Sequence, residues 1–233
     1  TGIDVTGTAV TDGVTVAGNL SVDGGTIKLD GNYPTGTQNV GLGDNALSSV
    51  ESGANYNTAV GNRALRDLTT GDSNVAVGRD AMLVATTAFN NTAVGQGVLG
   101  ALTSGSNNTG VGRDALSSAT TATSNAAFGN NSLAANTSGG SNTGVGYGTL
   151  SANTTASANP AVGYNALVSN TTGANNVAVG ADALDANTTS SNNTAVGKSS
   201  LGANTTGVQN TAVGSLALDA NTSGDLNVAV GYQ

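Results

Sequence analysis

The feature that most constrains this chain is a pentad, Asn-x-(Ala/Gly)-(hydrophobic)-Gly, which occurs twelve times. Its closing glycines are Gly43, Gly61, Gly78, Gly95, Gly112, Gly129, Gly146, Gly163, Gly180, Gly197, Gly214 and Gly231, separated by one step of 18 residues and then always by 17. Self-similarity at a fixed short period marks a repeat architecture: one unit cannot bury its apolar face alone and stacks on its neighbours. With each glycine as position 0, position −4 is Asn in every copy, as at Asn39, Asn57, Asn74 and Asn176. Position −1 is Val in ten copies, including Val60, Val77 and Val179; Leu42 and Phe128 are the exceptions. Position −2 is always Ala or Gly, +3 is usually Ala, and +4 is Leu (Leu65, Leu184) or, once, Met82. Position +10 is Gly in some repeats and Ala or Ser in others. The two types alternate strictly from Gly71 to Gly207, which suggests growth by duplication of 34-residue pairs.

A chain of 233 residues would ordinarily suggest one or two globular domains. Composition argues otherwise: aromatics are 3% of the residues, and the hydrophobic 37% is mostly Ala and Val. Large side chains, whose burial is worth roughly 1.5–3 kcal/mol each, are too few for a thick core. Thin stacked layers remain.

In a strand, side chains alternate between faces, so Val at −1 shares a face with position −3, while Asn and Ala or Gly share the other. Burial of the Val face is the ordinary expectation. The invariably small residue opposite implies close packing there too, against a second wall of the coil or a neighbouring chain, so both faces are expected to be covered. Glycine ends the strand where positive φ is cheap. Segments such as Arg113-Asp114-Ala115-Leu116 suit a single helical or 3₁₀ turn that tucks Leu inward, and Asn-Thr-Thr-Gly then forms a turn. The expected fold class is all-β: an elongated β-solenoid or β-roll of 17-residue rungs, each a short strand plus a tight turn. The recurrent Asn should stack as an amide ladder. Eleven or twelve rungs rising about 4.8 Å each would make a rod of roughly 50–60 Å.

Residues 1–38 lie outside the register and alternate Val, Leu and Ile with Thr, Asp and Gly, reading as a leader of short strands. Residues 39–233 are the array of about twelve repeats; its last is cut mid-repeat, so the natural chain is expected to continue.

With neither His nor Cys, the usual acid–base, thiol and zinc arrangements are ruled out, and no enzyme, cofactor or metal is expected. Asp residues such as Asp80 and Asp114 read as solvated rung edges rather than calcium ligands. A net charge of −8 with 6 basic residues disfavours nucleic acid, and no apolar run reaches membrane-spanning length. Tyr147 and Tyr164 share one rung position in consecutive repeats, making them weak candidates for sugar contact beside the blander reading of solvent-facing decoration. Sequons such as those at Asn136, Asn153, Asn170 and Asn204 follow from the turn motif and imply no glycosylation.

The repeat Asn-Thr-Ala-Val-Gly-x-x-Ala-Leu-x-x-Asn-Thr-Thr-Gly resembles repeats of bacteriophage tail fibre proteins, notably of phages infecting marine bacteria. The leader Thr1-Gly2-Ile3-Asp4-Val5-Thr6-Gly7-Thr8 and the joint Gly31-Asn32-Tyr33-Pro34 look like the linker preceding such repeats. The pentad is also similar to the Ser-Val-Ala-Ile-Gly repeat of trimeric autotransporter adhesin heads. These resemblances imply a parallel homotrimer, and three chains packed on their small Ala and Gly faces would supply a shared interior. The implied function is the shaft of a tail fibre on the virion, joined to other tail proteins. Host glycan or protein would be met by parts outside this chain. The alternative is an extracellular bacterial adhesin or surface filament. An ice-binding solenoid is disfavoured because the Thr column at −3 is broken by Val40, Val75, Ala126, Pro160, Val177 and Val228.

Overall fold

The computed structural model describes residues 38–232, so the expected leader over 1–38 lies outside the described residues but for Gln38. The strands in chain order are β1 (Val40–Leu42), β2 (Thr58–Val60), β3 (Val75–Val77), β4 (Thr92–Val94), β5 (Thr109–Val111) and β6 (Ala126–Phe128). They continue as β7 (Thr143–Val145), β8 (Pro160–Val162), β9 (Val177–Val179), β10 (Thr194–Val196), β11 (Thr211–Val213) and β12 (Val228–Val230). All twelve form one parallel sheet in sequential order, each strand in register with the next, as Ala59 with Ala76 and Val60 with Val77. The chain is a parallel β-solenoid in which one 17-residue repeat is one turn of the coil.

The strands are three residues long, shorter than the pentad suggests, and the remainder of each turn is stitched to its neighbours by single hydrogen bonds. The expected helical turn after the glycine does not form, and no helix occurs among the described residues. Ala64 N does close a tight turn on Gly61 O at 3.3 Å, but the N–H groups on either side of it bond to neighbouring turns of the coil instead of along a helix. Arg63 N donates back to Asp44 O at 2.8 Å, while Leu65 N donates forward to Ala81 O at 3.0 Å. To aim successive N–H groups in opposite directions, the segment alternates its backbone hand. Arg63 and Leu65 have φ of 58° and 50°, and the Leu or Met at +4 lies between 50° and 54° in every complete repeat. A left-handed Leu costs about 1 kcal/mol. That cost is offset because the side chain is thrown into the interior, where Leu47, Leu65, Met82, Leu99 and their successors to Leu201 are fully buried, worth roughly 1.5–3 kcal/mol each.

The faces of the strand are assigned opposite to expectation. Ala59, Ala76, Ala93 and the other −2 alanines are fully buried, whereas Val at −1 looks outward and is 37–40% exposed at Val145, Val162, Val179 and Val213. The reason is width. A Cβ built on Gly41, the −2 residue of β1, would already lie 3.7 Å from Leu47 Cδ1 and 3.5 Å from Ala46 O. With the opposite wall that close, only Ala or Gly fits, so the branched Val must take the outer face. The small face is therefore covered inside a single chain, not by a neighbouring one.

Position 0 demands glycine twice over. Its φ lies between 120° and 140° throughout the column. Moreover, a Cβ on Gly61 would come within 2.7 Å of the carbonyl of Gly78 on the next turn.

Candidate functional site

Two kinds of side-chain column run along the coil, one inside and one outside. The inner ones are led by the −4 asparagines, which form the expected ladder. Each Oδ1 accepts the backbone N–H of the Asn one turn on, as Asn57 Oδ1 does from Asn74 N at 3.0 Å and Asn159 Oδ1 from Asn176 N at 2.9 Å. The side-chain nitrogen adds a bond to the carbonyl fourteen residues on, for example Asn57 Nδ2 to Gly71 O at 2.9 Å. Every polar atom of a fully buried amide thereby finds a partner, the condition on which buried polar groups are tolerated.

A second inner column went unread in the sequence. Position +7 is Leu68, Ala85, Leu102 and Ala119 in the turns of β2 to β5, then Asn136, Asn153, Asn170, Asn187, Asn204 and Asn221 in those of β6 to β11. All but the last of these asparagines are buried. Nδ2 of Asn153, Asn170 and Asn187 each donates to Oδ1 of the previous one at 2.8, 3.1 and 2.8 Å. At Asn204 the chain of amides passes through Ser190, whose Oγ accepts from Asn204 Nδ2 at 3.2 Å and donates to Asn187. The sequons at these positions thus have inward-facing side chains. The invariance of Asn at +7 from residue 136 onward was the available signal.

In the turns of β2 to β5 the residue at +10 also matches the size of that at +7. Leu68 and Leu102 at +7 coincide with Gly71 and Gly105 at +10, whereas Ala85 and Ala119 coincide with Ala88 and Ala122. A Cβ on Gly71 would sit 2.7 Å from Leu68 Cδ1. The same compensation links Val98, where most other repeats have Ala, to Gly110 one turn on: a Cβ there would meet Val98 Cγ1 at 2.5 Å.

The outer columns are what a partner would meet. The strand face presents Thr or Val at −3 and Val at −1. One corner presents a hydroxyl rail at +8, where Thr69 Oγ1 donates to Thr86 O at 3.0 Å and Thr103 Oγ1 to Thr120 O at 3.0 Å. Beyond the glycine, +1 is a chemically varied column in which Tyr147 and Tyr164 stand exposed and stacked, ring centroids 5.6 Å apart and planes 11° from parallel. Of the residues singled out from sequence, Asn57, Asn74, Asn176, Leu65 and Leu184 point inward, and Gly61, Gly78, Gly180 and Gly214 form one corner. Val60, Val77 and Val179 line the outer strand face.

Charge is unevenly placed. Arg63 Nη2 reaches Asp80 at 2.8 Å across one turn, and Arg66–Asp67 and Arg113–Asp114 pair with sequence neighbours at 2.7 and 3.0 Å. Asp80, read as a solvated edge, is instead largely covered, its side chain 18% exposed. The hydrogen bond from Arg66 holds the Asp67 carboxyl below its ordinary pKa. Burial, and then the charge of Asp182, pushes Asp185 above its own. Among the described residues no group of three or more His, Cys, Asp or Glu could hold a metal ion, and no helix is long and apolar enough to cross a membrane.

Fold and columns together define the class: a β-solenoid repeat protein with a closed, amide-laddered interior. In comparisons with known proteins, no family model, no curated sequence and no solved structure matches the chain.

Proposed function

We propose that the chain is a structural, non-catalytic shaft, working as a parallel homotrimer in a bacteriophage tail fibre that supports host attachment. The observation that carries this reading is the outer strand face. A rod whose interior is complete within one chain still presents an unbroken Val column, with Phe128 in its middle, along its whole described length. Such a strip, about 50 Å long and about 10 Å wide with the mixed Thr and Val column at −3 included, is near the upper end of the apolar patches that soluble chains expose, and patches of that size often serve association. A flat, regular, uncharged strip repeated on identical chains suits parallel self-association in register. The premise of a shared Ala and Gly interior is replaced by contact through Val.

The tail-fibre setting rests on the resemblance of the repeat words and of the leader. Other virion tail proteins would then flank the shaft, and host glycan or protein would be met elsewhere in the fibre. The likeness of the pentad to adhesin-head repeats favours the second reading, an extracellular bacterial adhesin or filament. The gene's surroundings discriminate. Virion genes and a chaperone-like downstream sequence are expected, whereas a secretion signal with a membrane anchor would overturn the fibre in favour of the adhesin.

A further inference from the structure

All the aromatic side chains among the described residues are on the surface: Tyr56, Phe89, Phe128, Tyr147, Tyr164 and Tyr232 are each at least 41% exposed. The fold needs none of them for its core. Position +1 in particular is free of packing demands, since it accepts Arg79, Gln96, Asn130, Ala181 and Lys198 in other turns. Two consecutive tyrosines there are not a requirement of the rung, and they form the single stacked aromatic pair found among the described residues.

The surroundings of the pair are specific in three respects. The chain holds no Asp, Glu, Lys or Arg between Asp114 and Asp182, so the pair belongs to a charge-free stretch of an otherwise acidic chain, ending one turn past Tyr164. Its neighbours in the column are short, Asn130 before and Ala181 after, and the backbone bonds Gly148 N to Asn130 O (3.0 Å) and Asp182 N to Tyr164 O (2.9 Å) keep those turns in register with it. Each outer ring face is therefore bordered by a smaller side chain, leaving a step along the column. Finally, the residue after Tyr147 is Gly148, buried and bare, and a Cβ there would lie 2.6 Å from Asn165 Oδ1. The Asn165 amide occupies that space, over the residue that follows Tyr147 and next in sequence to Tyr164.

From this we infer that Tyr147 and Tyr164 form a binding platform for a neutral glycan. An aromatic face covers the C–H face of a pyranose ring, while phenol hydroxyls and neutral amides such as Asn130 and Asn165 match its hydroxyl rim. The nearest charged residue is Asp182, one turn on from Asn165, and no Lys or Arg lies between it and Arg113, so an anionic saccharide finds no counter-ion while an uncharged one is accepted. The platform lies past the glycine corner from the Val column, so it does not depend on the shaft reading or on self-association.

The test uses the whole chain and a panel of neutral oligosaccharides (glucans, galactans and mannans of six or seven units), with a sulfated glycan as contrast. Binding is read by tyrosine fluorescence and saturation-transfer NMR. At least one neutral member should bind with a millimolar dissociation constant, with contacts to the tyrosine ring protons. The double variant Tyr147→Asn/Tyr164→Ala borrows the side chains of the adjacent turns and should keep the fold. It should weaken binding at least about tenfold, while Tyr56→Ala changes nothing. Failure of every neutral member to bind, equal binding by the double variant, or preference for the sulfated glycan would overturn the proposal. So would a change of oligomeric mass in the double variant, which would mark the pair as a contact between copies.

Discussion

The turns of β2 to β5 and those of β6 to β11 share one backbone but fill the same interior slot with opposite chemistry. In the first region +7 holds Leu68, Ala85, Leu102 and Ala119, fully buried and apolar; in the second it holds a ladder of asparagines. The first region also carries the ion pairs of Arg63, Arg66, Arg79 and Arg113, while Lys198 is the sole cation of the second. The coil therefore does not require an apolar filling at this slot. It requires that volume be matched and that every polar atom be paired. The invariant demands lie elsewhere, in glycine at 0, Asn at −4 and Leu or Met at +4.

If that division is right, substitutions in the shared positions should hurt both regions alike. Gly78→Ala and Gly146→Ala each place a Cβ at positive φ against the next glycine's backbone. Each is expected to cost about 3 kcal/mol or more, measured by denaturant unfolding. A mild effect in either region would break the idea of a common scaffold.

Next come the contrasting positions. Leu102→Ala should cost about 2–4 kcal/mol through the cavity it leaves. Asn170→Leu should cost about 2–4 kcal/mol for a different reason: Asn187 Nδ2 loses one of its two acceptors and Asn153 Oδ1 its donor, both buried. Asn170→Asp, which keeps the shape, should still be destabilising, because Asn153 Oδ1 would then face an acceptor. Wild-type stability in that variant would show that shape alone fills the slot.

A smaller effect is expected at the ion pairs. Arg63→Ala, with its side chain 40% exposed, should cost at most about 1 kcal/mol and lose that effect in high salt.

Acidification should separate the regions by sign. The Asp67 carboxyl is lowered by the Arg66 hydrogen bond, so its contribution is present above the ordinary carboxylate range and is lost as pH falls through the lowered value. Asp185 is raised by burial and by Asp182, so its ionised form is a liability at neutral pH that is relieved as pH falls through the raised value. Hydrogen exchange at neutral pH and below about pH 3, corrected for intrinsic rates, should show weaker relative protection around Asp67 and stronger around Asp185. Parallel changes would contradict the assignment.

Much of this architecture was legible in the repeat itself. The glycine column, the Asn ladder and the inward Leu follow from invariance at fixed spacing. The orientation of the strand did not follow, because Val60 is the larger apolar residue and Ala59 the smaller, and size alone favours Val inside. Only the closeness of the opposite wall, set by left-handed leucines such as Leu65, reverses that choice, and Leu carries no sequence mark of a left-handed backbone. The second ladder was hidden for a related reason: Asn170-Thr171-Thr172-Gly173 reads as a polar turn although its first side chain points inward. At Tyr147 and Tyr164 the sequence shows the shared position, and the structure adds the stacking and the free outer faces.

The central claim is that one chain closes its own interior and leaves the Val face for association with identical chains. A native mass of the purified array at micromolar concentration tests it most directly. The account predicts three copies of the 22.3 kDa chain, reverting to one when Val145 and Val179 are both replaced by Lys, with the strand content of the coil retained. A stable single-copy mass for the unsubstituted chain would contradict it.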